Sequence, residues 1–297
     1  MRRNPQRVLI AAFAALLQFS PVAAQAVFRG EVHLEATAEA SRFGGLSAIE
    51  MSEEGTTALV LSDRGMLFDL SLTRAAGAIT DVTVCCGARI TWDGGVHLST
   101  AQRDSEGLAI LPSGEIVISF EGQGFARLAV HRRDGVQTRT FPEVPGVAVL
   151  PPNGAFEGVA ADARGRLYTL PEAMPGQGPI PLLRLDRGRW SLFAQLPRSS
   201  GWSPVALDFD DRGRLYLLER RVVVPFGLSS RLTRFDVAPA GLSGAEVLLH
   251  SRTGRHGNLE GLSIWRDGQG QLVATMVSDD NFLAMLNTTL VEYSLPD

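Results

Sequence analysis

A short phrase recurs along the chain and limits what it can fold into: Ser105-Glu106-Gly107-Leu108, Phe156-Glu157-Gly158-Val159 and Leu259-Glu260-Gly261-Leu262. A degenerate copy stands at Phe43-Gly44-Gly45-Leu46, and Ser203-Pro204-Val205-Ala206 fills the fourth place in the series. After each copy the chain runs apolar, turns at a Gly, runs apolar again and reaches an acidic residue. The copies lie about 46 to 62 residues apart, and a four-stranded propeller blade needs roughly 40 to 50.

Reading outward from the phrases gives four short strands per repeat. The first repeat predicts strands at 45–51, 58–62, 66–72 and 79–85. The second predicts them at 107–111, 116–120, 126–131 and 136–141. The third and fourth share the turn phrases Asp162-Ala163-Arg164-Gly165 and Asp210-Asp211-Arg212-Gly213, each followed by Arg-Leu-Tyr. An Asx-type turn and a Gly tolerant of positive φ suit a hairpin bend. The fifth repeat offers three strands, at 262–265, 272–277 and 289–295, and the orphan strand at 27–37 supplies its fourth if the two chain ends pair. Such closure removes exposed sheet edges. The expected fold is therefore all-β, a single propeller of five four-stranded repeats. Six blades fit if residues 73–104 and 135–156 hold further strands.

Composition agrees with many turns and short strands: 16 Pro and 31 Gly interrupt the apolar runs. Residues 1–26 read as a secretory signal, with basic Arg2, Arg3 and Arg7, an apolar run from Val8 to Phe19 and small-residue cleavage sites after Ala24 or Ala26. The run is too short to span a bilayer, which takes about 20 residues. The propeller domain is then 27–297, in the periplasm or secreted and free of the membrane after cleavage. The 28 basic side chains fall to about 25 with the leader gone, against 32 acidic ones. That acidic balance excludes nucleic acid as a partner and suits divalent cations. Cys85 and Cys86 are adjacent, and about 3.8 Å between their Cα atoms is below the disulfide range. They are expected as buried thiols at a strand end.

Hairpin register brings the carboxylates to one edge. In an antiparallel hairpin the start of the first strand and the end of the second lie together. A turn centred on Ser113 pairs Glu106 with Phe120 and sets Ser105 opposite Glu121. The same arithmetic pairs Glu157 with Leu170, Gly45 with Asp63 and Asn258 with Ser278. If the first strand of each blade lines the central channel, one mouth collects Glu106, Glu157, Glu260, Asp63, Glu121, Glu172, Glu219, Asp279 and Asp280. Carboxylates so crowded raise one another's pKa or call in cations; Arg64, Arg220, Arg255 and a metal are at hand. Oxygen-only ligands favour calcium over zinc or copper, and Glu106, Glu157, Glu260, Asp279 and Asp280 are its candidate ligands. The same Glu residues also suit an architectural use, each pairing with the next blade. His97 and His256 are the histidines placed to reach the mouth.

At these residues the chain resembles the phytase-like family, proteins described by an esterase-like activity of phytase. The likeness runs through FGGLSAIEMSEEG, LSDRGMLFDLSL, DSEGLAI, SFEGQGFARL, NGAFEGVA, LEGLSIW, VSDDNF and TTLVEYSL. It implies a secreted propeller hydrolase acting on phosphate or other small esters with calcium at the mouth. The residues at the mouth make Asp63, Arg64, Glu121 and Arg255 the candidate catalytic residues for such a reaction, and a monomer acting on small molecules is expected. Arg64 or Arg255 would bind developing negative charge. Because the chain contains no Lys, inositol phosphates suit it poorly. Two alternatives stay open: a lactonase-like propeller with calcium held by Glu106, Asn153, Glu157, Asn258 and Asp279, or a non-catalytic scaffold.

Overall fold

Five sheets of four antiparallel strands account for the strands among the described residues. The computed structural model describes residues 25–35, 43–122, 126–146, 150, 154–173, 178–281 and 287–297. The expected leader lies almost entirely outside these residues, and Asn153 lies outside them too. Strand β1, Val27–His33, is followed by blade 1: β2 Leu46–Met51, β3 Thr57–Ser62, β4 Met66–Ala75 and β5 Ala78–Arg89. Blade 2 is β6 Ser105–Ile110, β7 Ile116–Phe120, β8 Arg127–His131 and β9 Gln137–Thr140. Blade 3 is β10 Phe156–Ala161, β11 Leu167–Pro171, β12 Ile180–Asp186 and β13 Arg189–Leu196. Blade 4 is β14 Ser203–Phe209, β15 Leu215–Val223, β16 Gly227–Ala238 and β17 Gly241–His250. Blade 5 is β18 Asn258–Arg266, β19 Leu272–Asp279 and β20 Thr289–Ser294, completed on its outer edge by β1.

The ring thus closes as the orphan strand requires, with Val27 opposite Ser294 and His33 opposite Thr289. Residues 90–104 add two short 3-10 turns and no sixth blade. The inner strands are buried on both faces because each blade packs against two neighbours. In β3, for example, Ala58 and Val60 join the cluster shared with blade 5, and Leu59 and Leu61 the cluster shared with blade 2. Five such clusters, one per blade interface, form the core.

The innermost strands β2, β6, β10, β14 and β18 approach one another closely, which explains the Gly of the phrase. A Cβ on Gly107 would lie 2.4 Å from the Glu157 carbonyl oxygen, and one on Gly261 would lie 2.8 Å from Ala48 Cα. Substituting Gly261→Ala is expected to destabilise the fold by about 1–3 kcal/mol through overpacking, read as a lower urea midpoint with an unchanged slope. The free edges of these strands also need acceptors for their N–H groups, and the preceding blade provides them. Met51 N–H donates to Ser263 Oγ at 3.0 Å, Ile264 N–H to the Asp208 carboxylate, and Ile110 N–H to Glu50. Within the ring, Leu108, Val159, Leu207 and Leu262 leave a channel of only about 10 Å³. Among the described residues, little open space is therefore left at the axis beside Glu106 and Glu157.

The paired cysteines differ from expectation. Cys85 and Cys86 are exposed free thiols on β5, the outermost strand of blade 1. An outermost strand has no further strand to cover it, so apolar neighbours in sequence did not imply burial.

Candidate functional site: a carboxylate mouth

Each innermost strand carries one extra residue at the same place. The ladder slips between Leu46 and Ala48, Ser105 and Leu108, Phe156 and Gly158, Pro204 and Ala206, and Leu259 and Gly261. In blades 2, 3 and 5 the Glu of the phrase falls within the bulge, and a bulge re-aims a side chain. Observed pairs are therefore one residue off the expected register: Ser105 faces Phe120, Gly158 faces Leu170 and Asn258 faces Asp279. The Gly45 and Asp63 pairing holds, with Asp63 N–H donating to the Gly45 carbonyl at 2.9 Å. The bulge also corrects the alignment of the degenerate copies. The residues equivalent to Glu are Ser47 and Val205, where the phrase alone pointed to Gly44 and Pro204.

The Glu side chains converge. Burial raises the pKa of Glu106 well above the usual carboxylate range, and Glu157, Glu121, Glu260 and Asp104 raise it further. Glu157 is pushed up likewise by burial and then by Glu172, Glu121 and Glu260.

Arg220 divides this mouth into unlike halves. Its guanidinium donates to Glu260, to Glu172 at 3.0 Å and to Asn258 Oδ1 at 3.0 Å. Asn258 Nδ2 in turn donates to Glu260 at 2.8 Å. On the side formed by blades 3 to 5, Arg220 thus offsets part of the carboxylate charge, although Glu260 is still raised to about 7. On the other side, one carboxylate oxygen from each of Asp104, Glu106 and Glu121 lies within 4.8 Å of the others. Burial raises the pKa of Asp104 as well, and the Glu106 carboxyl beside it lowers it in part. Gly154 and Ala155 N–H groups donate to Glu121 Oε2 at 2.6 and 3.0 Å, so Glu121 both tethers blade 3 and belongs to this cluster. Asp63, half-buried beside Arg64, is raised to about 7 by burial and then by Asp279.

The remaining candidates have other surroundings. Asp280 accepts Gly45 N–H at 3.0 Å and the Thr288 hydroxyl at 2.9 Å, bridging blades 5 and 1. Asp279 accepts Asn281 N–H at 2.6 Å. Glu219 forms a two-pronged pair with Arg231 at 2.7 Å. Arg255 pairs with Glu31 of outermost strand β1 at 2.8 Å and lies over the Phe28 ring, apart from the carboxylates. His256 is buried against Tyr293, its Nε2 2.7 Å from the phenol oxygen and its Nδ1 3.3 Å from Glu31, so it serves the outer strand. His97 is exposed on its loop. Asp104 was not anticipated as a site residue, although it opens the phrase Asp104-Ser105-Glu106-Gly107. Its position just before the strand is set by Glu121 N–H, which donates to the Asp104 carbonyl at 2.9 Å.

The donor set is hard oxygen from carboxylates, which fits calcium. It also has a pH signature. Asp63 and Glu260 are each raised to about 7, so their unfolded forms ionise at lower pH than the folded protein. Carboxyls shifted upward contribute stability that is complete below the unfolded pKa and lost as pH rises through the folded one. The metal-free protein is accordingly expected to lose thermal stability from pH 5 to pH 8, and calcium to flatten that slope. Melting curves at fixed ionic strength test this; a metal-free Tm that rises across the interval would contradict it.

A model of the phytase-like family, described as esterase-like activity of phytase, matches residues 41–282. No curated protein matches the sequence. Among solved structures, the chain is similar to the PQQ-bound aldose sugar dehydrogenase of Streptomyces coelicolor at 12% identity and a TM-score of 0.47, covering 90% of this chain and 98% of that one. A putative gluconolactonase is similar at 12% identity and a TM-score of 0.44, with 93% and 94% covered. A putative glucose dehydrogenase from Thermus thermophilus is similar at 12% identity and 0.45, with 89% and 99% covered.

Proposed function

The chain belongs to the phytase-like family, and from that footing we propose that it hydrolyses small esters at the carboxylate mouth with calcium bound by Asp104, Glu106 and Glu121. The observation that carries this reading is the asymmetry of the mouth. One half holds Arg220 paired with Glu260 and Glu172, whereas the other gathers three carboxylates near a half-buried Asp63 that burial and Asp279 raise to about 7 in the metal-free protein, a direction that suits a general base. When bound there, calcium supplies Lewis-acid polarisation of the carbonyl or phosphoryl oxygen.

Asp63 is the general base in this reading. It takes a proton from the attacking water as the new carbon–oxygen or phosphorus–oxygen bond forms, then returns it to the departing alkoxide as the ester bond breaks. Arg64, exposed in the turn after β3 and close enough to lower the Asp63 pKa, binds the developing negative charge. Glu121 holds the neighbouring blade through its two backbone N–H bonds and so fixes the cluster it belongs to. The basic and apolar leader supports a periplasmic or secreted location, and a monomer working on small molecules is the proposed state. No helix among the described residues is long and apolar enough to cross a membrane.

The test is a panel of p-nitrophenyl acetate, p-nitrophenyl phosphate and a simple lactone, assayed with calcium and with chelator. Ester turnover that disappears in chelator and returns with calcium is expected. Preference for the lactone would favour the lactonase alternative, and no turnover of any substrate would favour a scaffold.

A further inference from the structure

Beside the mouth stands an arm that the proposed chemistry leaves unused. Apolar patterning predicts the second and third strands of blade 4 at 214–218 and 232–237, yet their ladder continues beyond the blade. Arg221 pairs with Ser229, Val222 with Leu228 and Val223 with Gly227. The base of the arm is braced: Gly254 N–H donates to the Leu228 carbonyl at 2.8 Å, and the Ser229 and Thr253 hydroxyls lie 2.8 Å apart. Its tip exposes Val222 by 65%, Val224 by 83% and Phe226 by 73%. Single exposed apolar residues are ordinary, but a contiguous apolar patch marks a contact surface.

A cleft of about 740 Å³ lies under the arm. Val222, Val224, Pro225 and Leu228 give it an apolar wall, and Glu172, Arg220 and Asn258 of the mouth form its polar end. The volume is in the range of small-molecule sites. Arg220 is already committed to Glu260, Glu172 and Asn258, so this end offers carboxylate and amide and little cationic attraction. A polyanion would meet the acidic mouth unassisted. A neutral ester instead places its ester group at the mouth and an apolar group along the arm.

We propose that the cleft under the Val222–Phe226 arm binds the apolar acyl or alkyl chain of an uncharged ester, and that Val222 and Val224 set the preference for chain length. This rests on the hydrolase reading for the identity of the reacting group. Burying each added methylene strengthens binding by about fourfold, until the cleft is filled.

The experiment uses the full chain with calcium and two non-hydrolysable probes, 4-nitrophenyl methyl ether and 4-nitrophenyl hexyl ether, titrated by calorimetry. Wild type is expected to bind the hexyl ether at least about a hundredfold more tightly, and the double variant V222S/V224S to lose most of that difference. Leu192→Ser, an exposed apolar residue on β13 far from the arm in sequence, serves as control and keeps it. Equal affinity of the two ethers for wild type, or a preference retained in the folded double variant, overturns the proposal. Parallel kcat/KM values for p-nitrophenyl acetate and hexanoate separate the two readings. Absence of turnover with chain-length-dependent ether binding removes the hydrolase and leaves the cleft assignment standing.

Discussion

Asp63→Asn is expected to lower kcat/KM for a small ester by about 10²- to 10⁴-fold, the usual contribution of a positioned general base. The wild-type rate should rise with pH as Asp63 ionises, with a midpoint below the metal-free value of about 7 because bound calcium lowers it, and the residual activity of the variant should lack that limb. Calcium affinity should change little or fall modestly, since a neighbouring carboxylate is lost while Asp104, Glu106 and Glu121 are kept. A pH profile of kcat/KM for both proteins separates this role from a structural one. A variant with normal melting and an unaltered profile would remove Asp63 from the chemistry.

Glu106→Gln tests the other half of the account, and its two effects have opposite signs. Glu106 is crowded by Asp104, Glu121, Glu157 and Glu260, so neutralising it relieves repulsion above pH 7. The metal-free variant is therefore expected to melt higher than the metal-free wild type. The same change removes a charged ligand and should weaken calcium binding by on the order of 100-fold, so that added calcium no longer raises its Tm. A site carrying strain for function behaves in this way. An architectural Glu predicts the reverse, a lower Tm for the variant and no calcium response in either protein. Differential scanning fluorimetry at pH 8, with and without calcium, reads both effects.

The repeated phrase carried the architecture because each blade must place one mostly buried strand near the axis. Blade number, strand order and closure by β1 follow from that requirement. The bulge was not legible. A period-two pattern has no mark for an inserted residue, so the expected register slipped by one in three blades, and the equivalents of Glu in blades 1 and 4 were placed at Gly44 and Pro204 instead of Ser47 and Val205.

Charge in the sequence also lacked direction. Arg220 and Arg255 look alike as surface cations, but Arg220 lies at the inner end of a blade among carboxylates, and Arg255 reaches the outer strand and Glu31. Asp104 was hidden by its place before the strand, where backbone pairing at its carbonyl sets the position. The blade 4 arm was missed because Arg220-Arg221 and Pro225 interrupt the apolar run from both sides. Its strands pair beyond the blade, and at its tip Val222, Val224 and Phe226 stay in solvent.

The most direct measurement of the central claim is calorimetric titration of the full chain with calcium at pH 6.5, in two buffers of different ionisation enthalpy. The cluster of Asp104, Glu106 and Glu121 and the raised pKa values of Asp104 and Glu106 predict one ion per chain, with protons released to the buffer on binding. No calcium binding, together with ester turnover unchanged in chelator, would contradict it.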